Sequence, residues 1–481
     1  MYRLKKIGQV LPKKASEIKS SRLGIGFEKL DRDVFDPERC YDRLEQLGAK
    51  WVRIQSGWCK TESTRGHYDF HWLDKIVDNL IARGMRPWMC LCYGNELYDS
   101  TTSNKTGAVG CPPVLTEEAA AAWDEYVKKL VAHFKGRVSH YEVWNEPDGQ
   151  WCWKHGPSGA EYGRFVIRTS KVIQSVDPEA KIFAGSTCMR ELDFITCALD
   201  AGMADYITDI TYHHYQVDVE YGITDIMKAR RALLDSYRPG IGIIQGETGC
   251  PSEPNGRGAL HDNRWTEEKQ KKYIARMLMT DLSTEAKFAS VFSLVDMYED
   301  LSGKDTVRLK ENYGFFGLLR EQFDGNVPTG DYEPKPSYKA MQTICSLVTD
   351  KVHNADLPLM FVPRNSLTLE HLDTDPYRSW NNTKVPTIGM KHVNGASAFT
   401  YWAASEILSS TTESTVSIMC FAMPENVKLI DICTGDIYAI PEEMIEKKEG
   451  PVYVLNNLPL LDSPLMLTFG DFADKVKWFD T

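Results

Sequence analysis

Between Leu23 and about Leu347 short apolar runs alternate with amphipathic stretches, and this alternation leaves few folds open. The runs are LGIGFE from Leu23, WVRIQSGW from Trp51, RPWMCLCYGN from Arg86, HYEVWNEP from His140, KIFAGSTC from Lys181, DITYHHY from Asp209, GIIQGETG from Gly242 and ASVFSLVD from Ala289, eight in all. Most are apolar at consecutive positions in their first half and polar only toward the C-terminal end. That is the pattern of parallel strands covered on both faces. Between them lie ERCYDRLEQLG, FHWLDKIVDNLIARG, TEEAAAAWDEYVKKLVAHFKG, GAEYGRFVIRTSKVIQSV, TDIMKARRALLDSY and TEEKQKKYIARMLMTDLSTEA. In the second, Trp72, Leu73, Ile76, Val77 and Leu80 share one side of a helix, and Gly84 follows where a helix C-terminus favours glycine. Eight βα units in succession predict an α/β fold, a (β/α)8 barrel over residues 23–350. A doubly wound sheet is the competitor, but no Gly-x-Gly-x-x-Gly opens a helix after any run.

Past about Asp350 the rhythm changes. PLMFVPR, ASAFTYWAAS, TVSIMCFAM, VKLIDICTGDIYAI, PVYVLNN and PLMLTFGDF are short, β-rich and separated by turn residues, which predicts an antiparallel β-sandwich domain over residues 351–481. The segment 1–22 precedes the first barrel run, and its KKIGQVL is expected to add a strand to that β-domain. A length of 481 residues suits a barrel with one accessory domain.

The net charge of -11 argues against nucleic acid or an anionic membrane as partner, since both select clustered Lys and Arg. MYRLKKIGQVLPKKASEIKSS holds no apolar stretch of signal-peptide length, and no later run is long enough to span a membrane. The twelve cysteines are scattered, several inside apolar runs such as WMCLCYG and SIMCFAM, and read as buried free thiols in a reducing cytoplasm. The sequons at Asn104 and Asn381 matter only in a secretory context.

Barrel sites gather at the C-terminal ends of the strands. The last polar residues of the runs are Glu28; Arg53 and Gln55 with Trp58; Tyr93 and Asn95; Asn145 and Glu146; Ser186; His213 and Tyr215; Gln245 and Glu247; and Asp296. Glu146 ends the fourth run and Glu247 the seventh, on opposite sides of the barrel mouth. Two carboxyl groups about 5–5.5 Å apart are what retaining glycoside hydrolysis uses, one as nucleophile and the other as acid and then base. Pro147 is expected to end strand pairing just after Glu146, leaving Asn145 to donate to a sugar hydroxyl.

The Trp-Asn-Glu-Pro of the fourth run, with an isolated Glu ending the seventh in GIIQGETG, resembles clan A of the glycoside hydrolases. Arg53 on the second run and His213 with Tyr215 in TYHHYQ fit the same clan. The opening LGIGFEKLDR, the run GHYDFHWLDKIVDNL and the barrel-then-sandwich order most resemble family 39, to which β-xylosidases belong. The resemblance implies Glu146 as general acid/base and Glu247 as nucleophile. Arg53 and Tyr215 would hydrogen-bond Glu247 and keep it ionised, while Glu146 would hold its proton near neutral pH. Many clan members end the eighth strand with a Trp beneath the sugar, whereas SLVDMYED offers Asp296 and Tyr298. Trp58, Trp151 and Trp153 are therefore candidate stacking platforms. Glu28, Gln55 and Asn95 are candidate ligands to hydroxyls, Glu28 reading equally well as an ion pair at the barrel bottom.

Metal and cofactor chemistry is not expected. His67 and His71 lack the acid of an HExxH arrangement, and Cys90 and Cys92 lack the spacer of a zinc knuckle. Cys250 is read as packing. The expected function is a β-xylosidase-like retaining β-glycosidase, exo-acting on small oligosaccharides or glycosides through a covalent glycosyl-enzyme. A β-galactosidase, β-glucosidase, α-L-arabinosidase or transglycosidase on the same scaffold is the alternative, as is a dead barrel that only binds carbohydrate. The resemblance extends to homo-oligomers, since some members are tetramers.

Overall fold

In the computed structural model the described residues are 4–99, 101, 108–299, 308–362, 385–408 and 413–479. Both sequons lie outside them. Eight strands, β1 (Leu23–Gly26), β2 (Trp51–Gln55), β3 (Arg86–Leu91), β4 (His140–Val143), β5 (Lys181–Thr187), β6 (Asp209–His213), β7 (Gly242–Thr248) and β8 (Ala289–Val291), form a closed barrel. Each pairs in parallel with the next, and β8 returns to β1 through Leu23↔Ala289. Past their first residues the strands are buried throughout, which explains why their sequences lack alternation.

Around the barrel run helices Tyr41–Leu47, His71–Ala82, Glu117–Phe134, Gly159–Val176, Asp193–Asp200, Ile223–Tyr237, Glu267–Ser283 and Pro336–Leu347. Three of them start with a hydroxyl cap, as Thr116, Ser158 and Thr266 accept from the backbone N–H three residues on. His71–Ala82 buries Leu73, Ile76, Val77 and Leu80, and Gly84 takes the left-handed conformation, φ 74°, that ends it. Asp193–Asp200 and Pro336–Leu347 are not among the amphipathic stretches picked out in the sequence. The first is only eight residues long. The second buries Ser337, Gln342, Thr343 and Ser346 as well as its apolar side, so its periodicity is blurred. Across the packing Ser337 donates to Gln270 at 2.8 Å and Gln342 to the carbonyl of Gln46 at 2.8 Å, while Thr343 and Ser346 donate to carbonyls one turn back in their own helix.

Beyond the barrel an eight-stranded antiparallel sheet faces a four-stranded one. Their shared core includes Phe399, Tyr401, Val416, Ile418, Leu429, Leu455, Leu458, Leu465 and Leu467. The (β/α)8 barrel followed by a C-terminal antiparallel sandwich is thus the fold the patterning predicted. Strand Lys6–Val10 pairs antiparallel with both Asp436–Ala439 and Val476–Trp478 in the larger sheet, so the chain enters through the sandwich before building the barrel. No helix among the described residues is long and apolar enough to cross a membrane. The twelve cysteines are all free thiols.

Candidate active site

Strand β4 stops earlier than its proline suggests. Its ladders end at Val143 with β3 and at Glu142 with β5, and Trp144 then turns the chain with φ 70°. Glu146 follows at φ 46°, its N–H donating to the carbonyl of Ser186 at 3.1 Å. Left-handed backbone at a non-glycine residue costs about 1–3 kcal/mol and persists only where neighbours over-determine it. Here Trp144 is fully buried, edge-on to Tyr93, Trp123, Trp153 and Phe165, with its Nε1 donating to the carbonyl of Cys152 at 2.8 Å. Tryptophan packing, rather than Pro147, ends the strand and aims the acid.

Glu146 and Glu247 face each other over the barrel mouth. One carboxylate oxygen from each and one ring nitrogen of His213 all lie within 4.8 Å of one another. Glu247 is gripped on both oxygens, since Arg53 Nη1 donates to Oε2 at 2.6 Å and the Tyr215 hydroxyl to Oε1 at 2.6 Å. Glu146 has a different pair of neighbours. His213 Nδ1 is 2.7 Å from Oε1, and the Trp151 indole donates to Oε2 at 2.6 Å.

Beneath them Arg53, with no solvent exposure, serves three carboxylates. Its Nε donates to Glu142 at 2.7 Å, Nη1 also reaches both oxygens of Glu28 at 3.3 Å, and Nη2 donates to Asn145 Oδ1 at 2.8 Å and Ser186 Oγ at 3.2 Å. One cation cannot satisfy three buried acids equally, and the geometry shows which is favoured. Glu142 also accepts from Thr211 at 2.6 Å and Trp88 at 3.2 Å. Burial alone would raise its carboxyl, but Arg53, then His213, hold it below the usual carboxylate range. Glu28, left with the long contacts, is pushed up to about 7 by burial against the opposing pull of Arg53.

His213 completes the network. Its Nε2 is 3.0 Å from Ser186 Oγ, which already accepts from Arg53. Facing the Glu146 carboxylate, which only accepts when ionised, Nδ1 carries the proton of the neutral ring, and Nε2 is left to accept from the serine hydroxyl. Burial pulls the imidazole down, but the Glu247 charge and the bond to Glu146 outweigh it, and the ring is held above its ordinary value.

The cavity over these groups has a volume of about 450 Å³, within the range of small-ligand sites. Glu28, Gln55, Asn145, Glu146, Trp151, Tyr215 and Glu247 line it, with Arg53 and His213 below. Glu28 is thus at the top of the barrel and not in an ion pair at its bottom. Asn145 turns its carbonyl to Arg53 and leaves its Nδ2, 3.5 Å from Cys152 Sγ, on the cavity side.

Five of the other candidates are elsewhere. Trp58 is 1% exposed, stacked on Tyr98 and Tyr126, with its indole donating to Glu62 at 2.6 Å. Trp153 is fully buried against Trp144 and donates to Glu161 at 2.9 Å. Asn95 spends its side chain on the Glu62 carbonyl and the Leu97 N–H, both at 2.9 Å. Asp296 pairs at 2.6 Å with Lys335, neither side chain having any exposure, and anchors the segment after β8. Tyr298 belongs to a short ladder with Tyr313 and packs on that ring.

What the candidate list lacked is the wall these residues leave open. Phe292, directly after β8, and Phe316 line the cavity, 5.7 Å apart between ring centres. Lys29 and Glu299 form an ion pair across the same wall. Counting only polar strand ends passed over Phe292, which sits in the middle of ASVFSLVD. Glu142 carried a clearer signal, an acid in the middle of a buried strand that demands a cation opposite.

Residues 39–385 match the family model for glycosyl hydrolases family 39. A β-xylosidase of Caldicellulosiruptor saccharolyticus is 22% identical over 351 residues, covering 66% of this chain and 65% of that protein, so the match spans a little under two thirds of the relative's length. Among solved structures, a family 39 glycoside hydrolase from the gut symbiont Bacteroides cellulosilyticus WH2 aligns with a TM-score of 0.64 at 17% identity, over 95% of this chain and 83% of that one. A family 39 β-xylosidase from Caulobacter crescentus aligns with a TM-score of 0.54 at 16% identity, over 97% and 98%. At these identities the structural likeness is one of fold.

Proposed function

The chain belongs to glycosyl hydrolases family 39, and from that premise we propose that it is a retaining β-glycosidase, β-xylosidase-like and exo-acting on small neutral glycosides. The observation that carries this reading is the pair Glu146 and Glu247, with carboxylate oxygens within 4.8 Å of each other across a cavity of about 450 Å³. Such a gap leaves room for an anomeric carbon but not for a separate water lined up behind it, which favours double displacement over inversion.

In the first step an oxygen of Glu247 attacks the anomeric carbon as the glycosidic C–O bond breaks, and Glu146 gives its proton to the departing oxygen. Arg53 and Tyr215 hold the nucleophile's two oxygens in place without solvent reorganisation. In the second step Glu146 takes a proton from water, the water oxygen bonds to the anomeric carbon, and the ester to Glu247 is released. His213 Nδ1, 2.7 Å from Glu146 Oε1, donates to that carboxylate and holds it in place when it acts as the base.

The sugar is read as xylose-like by analogy with the Caldicellulosiruptor relative. The ion pair of Lys29 and Glu299 walls one side of the cavity, which supports attack at a chain end. Free buried thiols, such as Cys90 in β3 and Cys92 just past it, suit a reducing cytoplasm. Hydrolysis of aryl β-glycosides, with NMR of the first-formed anomer, tests the proposal. A β-anomer formed first supports it, and an α-anomer formed first overturns the double displacement.

A further inference from the structure

The segment from Tyr215 to Glu220 links the cavity to the sandwich. It has no regular secondary structure, and residues 215–218 are partly exposed. At its start the Tyr215 hydroxyl donates to Glu247. At its end Glu220 turns inward and is gripped from two directions. Arg276, on helix Glu267–Ser283, donates Nε to Oε1 at 2.6 Å and Nη2 to Oε2 at 2.7 Å. Trp402, just past sandwich strand Ser397–Tyr401, donates its indole N–H to Oε1 at 2.7 Å.

The same arginine sends Nη1 to the carbonyl of Ser405 at 2.8 Å. One helical turn earlier Lys272 pairs with Asp462 at 2.9 Å, also in the sandwich and also buried. A barrel loop, the helix that follows strand β7, and the sandwich thus converge on one carboxylate. Burial would raise the Glu220 carboxyl, but Arg276 outweighs it and holds the group below the usual carboxylate range. The clamp therefore stays charged. A bidentate pair removed from water is strong and directional, and removing one partner strands a buried charge.

We propose that Glu220 is a positioning residue for Glu247. Clamped to the sandwich by Trp402 and Arg276, it fixes the loop that keeps the Tyr215 hydroxyl on the nucleophile, so the sandwich domain takes part in setting the catalytic carboxylate. This rests on the reading of Glu247 as nucleophile. The role acts on the reacting atom and not on substrate affinity, and its signature is a fall in kcat with KM little changed.

The test is a double-mutant cycle. Trp402→Phe and Glu220→Gln are made alone and combined with Tyr215→Phe, with thermal unfolding confirming that each is folded. Each single substitution is expected to lower kcat on an aryl β-glycoside about 10- to 150-fold, the weight of one lost hydrogen bond to a charged group. In the Tyr215→Phe background the further loss should shrink to within about twofold, because the contact being positioned is already gone. Losses that multiply through overturn the positioning role. Amide hydrogen exchange over residues 214–222 reads the clamp without any turnover. Faster exchange in Trp402→Phe supports it, and unchanged exchange overturns it. Turnover retained in Glu247→Gln overturns the nucleophile assignment and this role with it. Turnover lost there while the cycle is multiplicative overturns the positioning role alone.

Discussion

Arg53 donates to Glu247 at 2.6 Å from a position with no solvent exposure, and the same guanidinium donates to Glu142 at 2.7 Å. The proposed nucleophile and a structural acid in mid-strand thus depend on one cation. Arg53→Lys keeps the charge but cannot reproduce the fork that reaches Glu142, Glu247 and Asn145 together. Activity should fall about 100-fold or more, with the melting temperature lowered because a single ammonium cannot reach every buried acceptor that the guanidinium serves. Thermal unfolding beside kcat/KM checks this. A variant that loses activity with an unchanged melting temperature would show that Glu142 does not rely on Arg53.

Glu146→Ala should separate substrates by leaving group. Glycosides with poor leaving groups should lose about 100-fold or more in kcat/KM, while activated aryl glycosides lose far less because they need little protonation. Equal losses on both would remove Glu146 from the acid role.

Glu28 gives a prediction about stability and pH. Its carboxyl is raised from 4.5 to about 7 in the folded chain, chiefly by burial. A carboxyl raised by folding stabilises the fold below its unfolded value, and that contribution is lost as pH rises through the folded value. The melting temperature of Glu28→Gln relative to the natural chain should therefore be constant below pH 4.5, rise between pH 4.5 and about 7, and level off above. A difference that does not vary over this window would contradict the assignment.

Two tryptophans should behave oppositely. Trp151 is 42% exposed and bonded to Glu146, so Trp151→Phe should change kcat while leaving the melting temperature nearly unmoved. Trp58 is 1% exposed within an aromatic cluster, and Trp58→Ala should cost about 3–5 kcal/mol of stability with the kcat of the folded fraction preserved. A kcat loss in Trp58→Ala that exceeds the unfolded fraction would return Trp58 to the site.

The barrel was legible because burial on both faces leaves a simple mark, unbroken apolar runs ending in polar residues, and Glu146 and Glu247 stand at such ends. Legibility failed where a side chain's direction depends on a turn. Trp151 and Trp153 are two residues apart in DGQWCWKHG, yet one indole covers the cavity and the other is packed behind Trp144. No periodicity tells them apart, because the loop between β4 and its helix has none. Asp296 looked like a ligand for want of its partner, Lys335, which lies 39 residues away across a hairpin insertion. Phe292 was hidden by the assumption that site residues are polar, whereas a sugar ring presents C–H faces that an aromatic can cover.

The central claim is that Glu247 bonds covalently to the sugar. Incubation with an activated 2-deoxy-2-fluoro-β-glycoside, whose fluorine slows both displacements but the second one more for a good leaving group, should trap the intermediate. Peptide mass spectrometry should then find one sugar on the peptide holding Glu247, and none in Glu247→Gln. A label on Glu146, or turnover without any covalent adduct, would contradict the account.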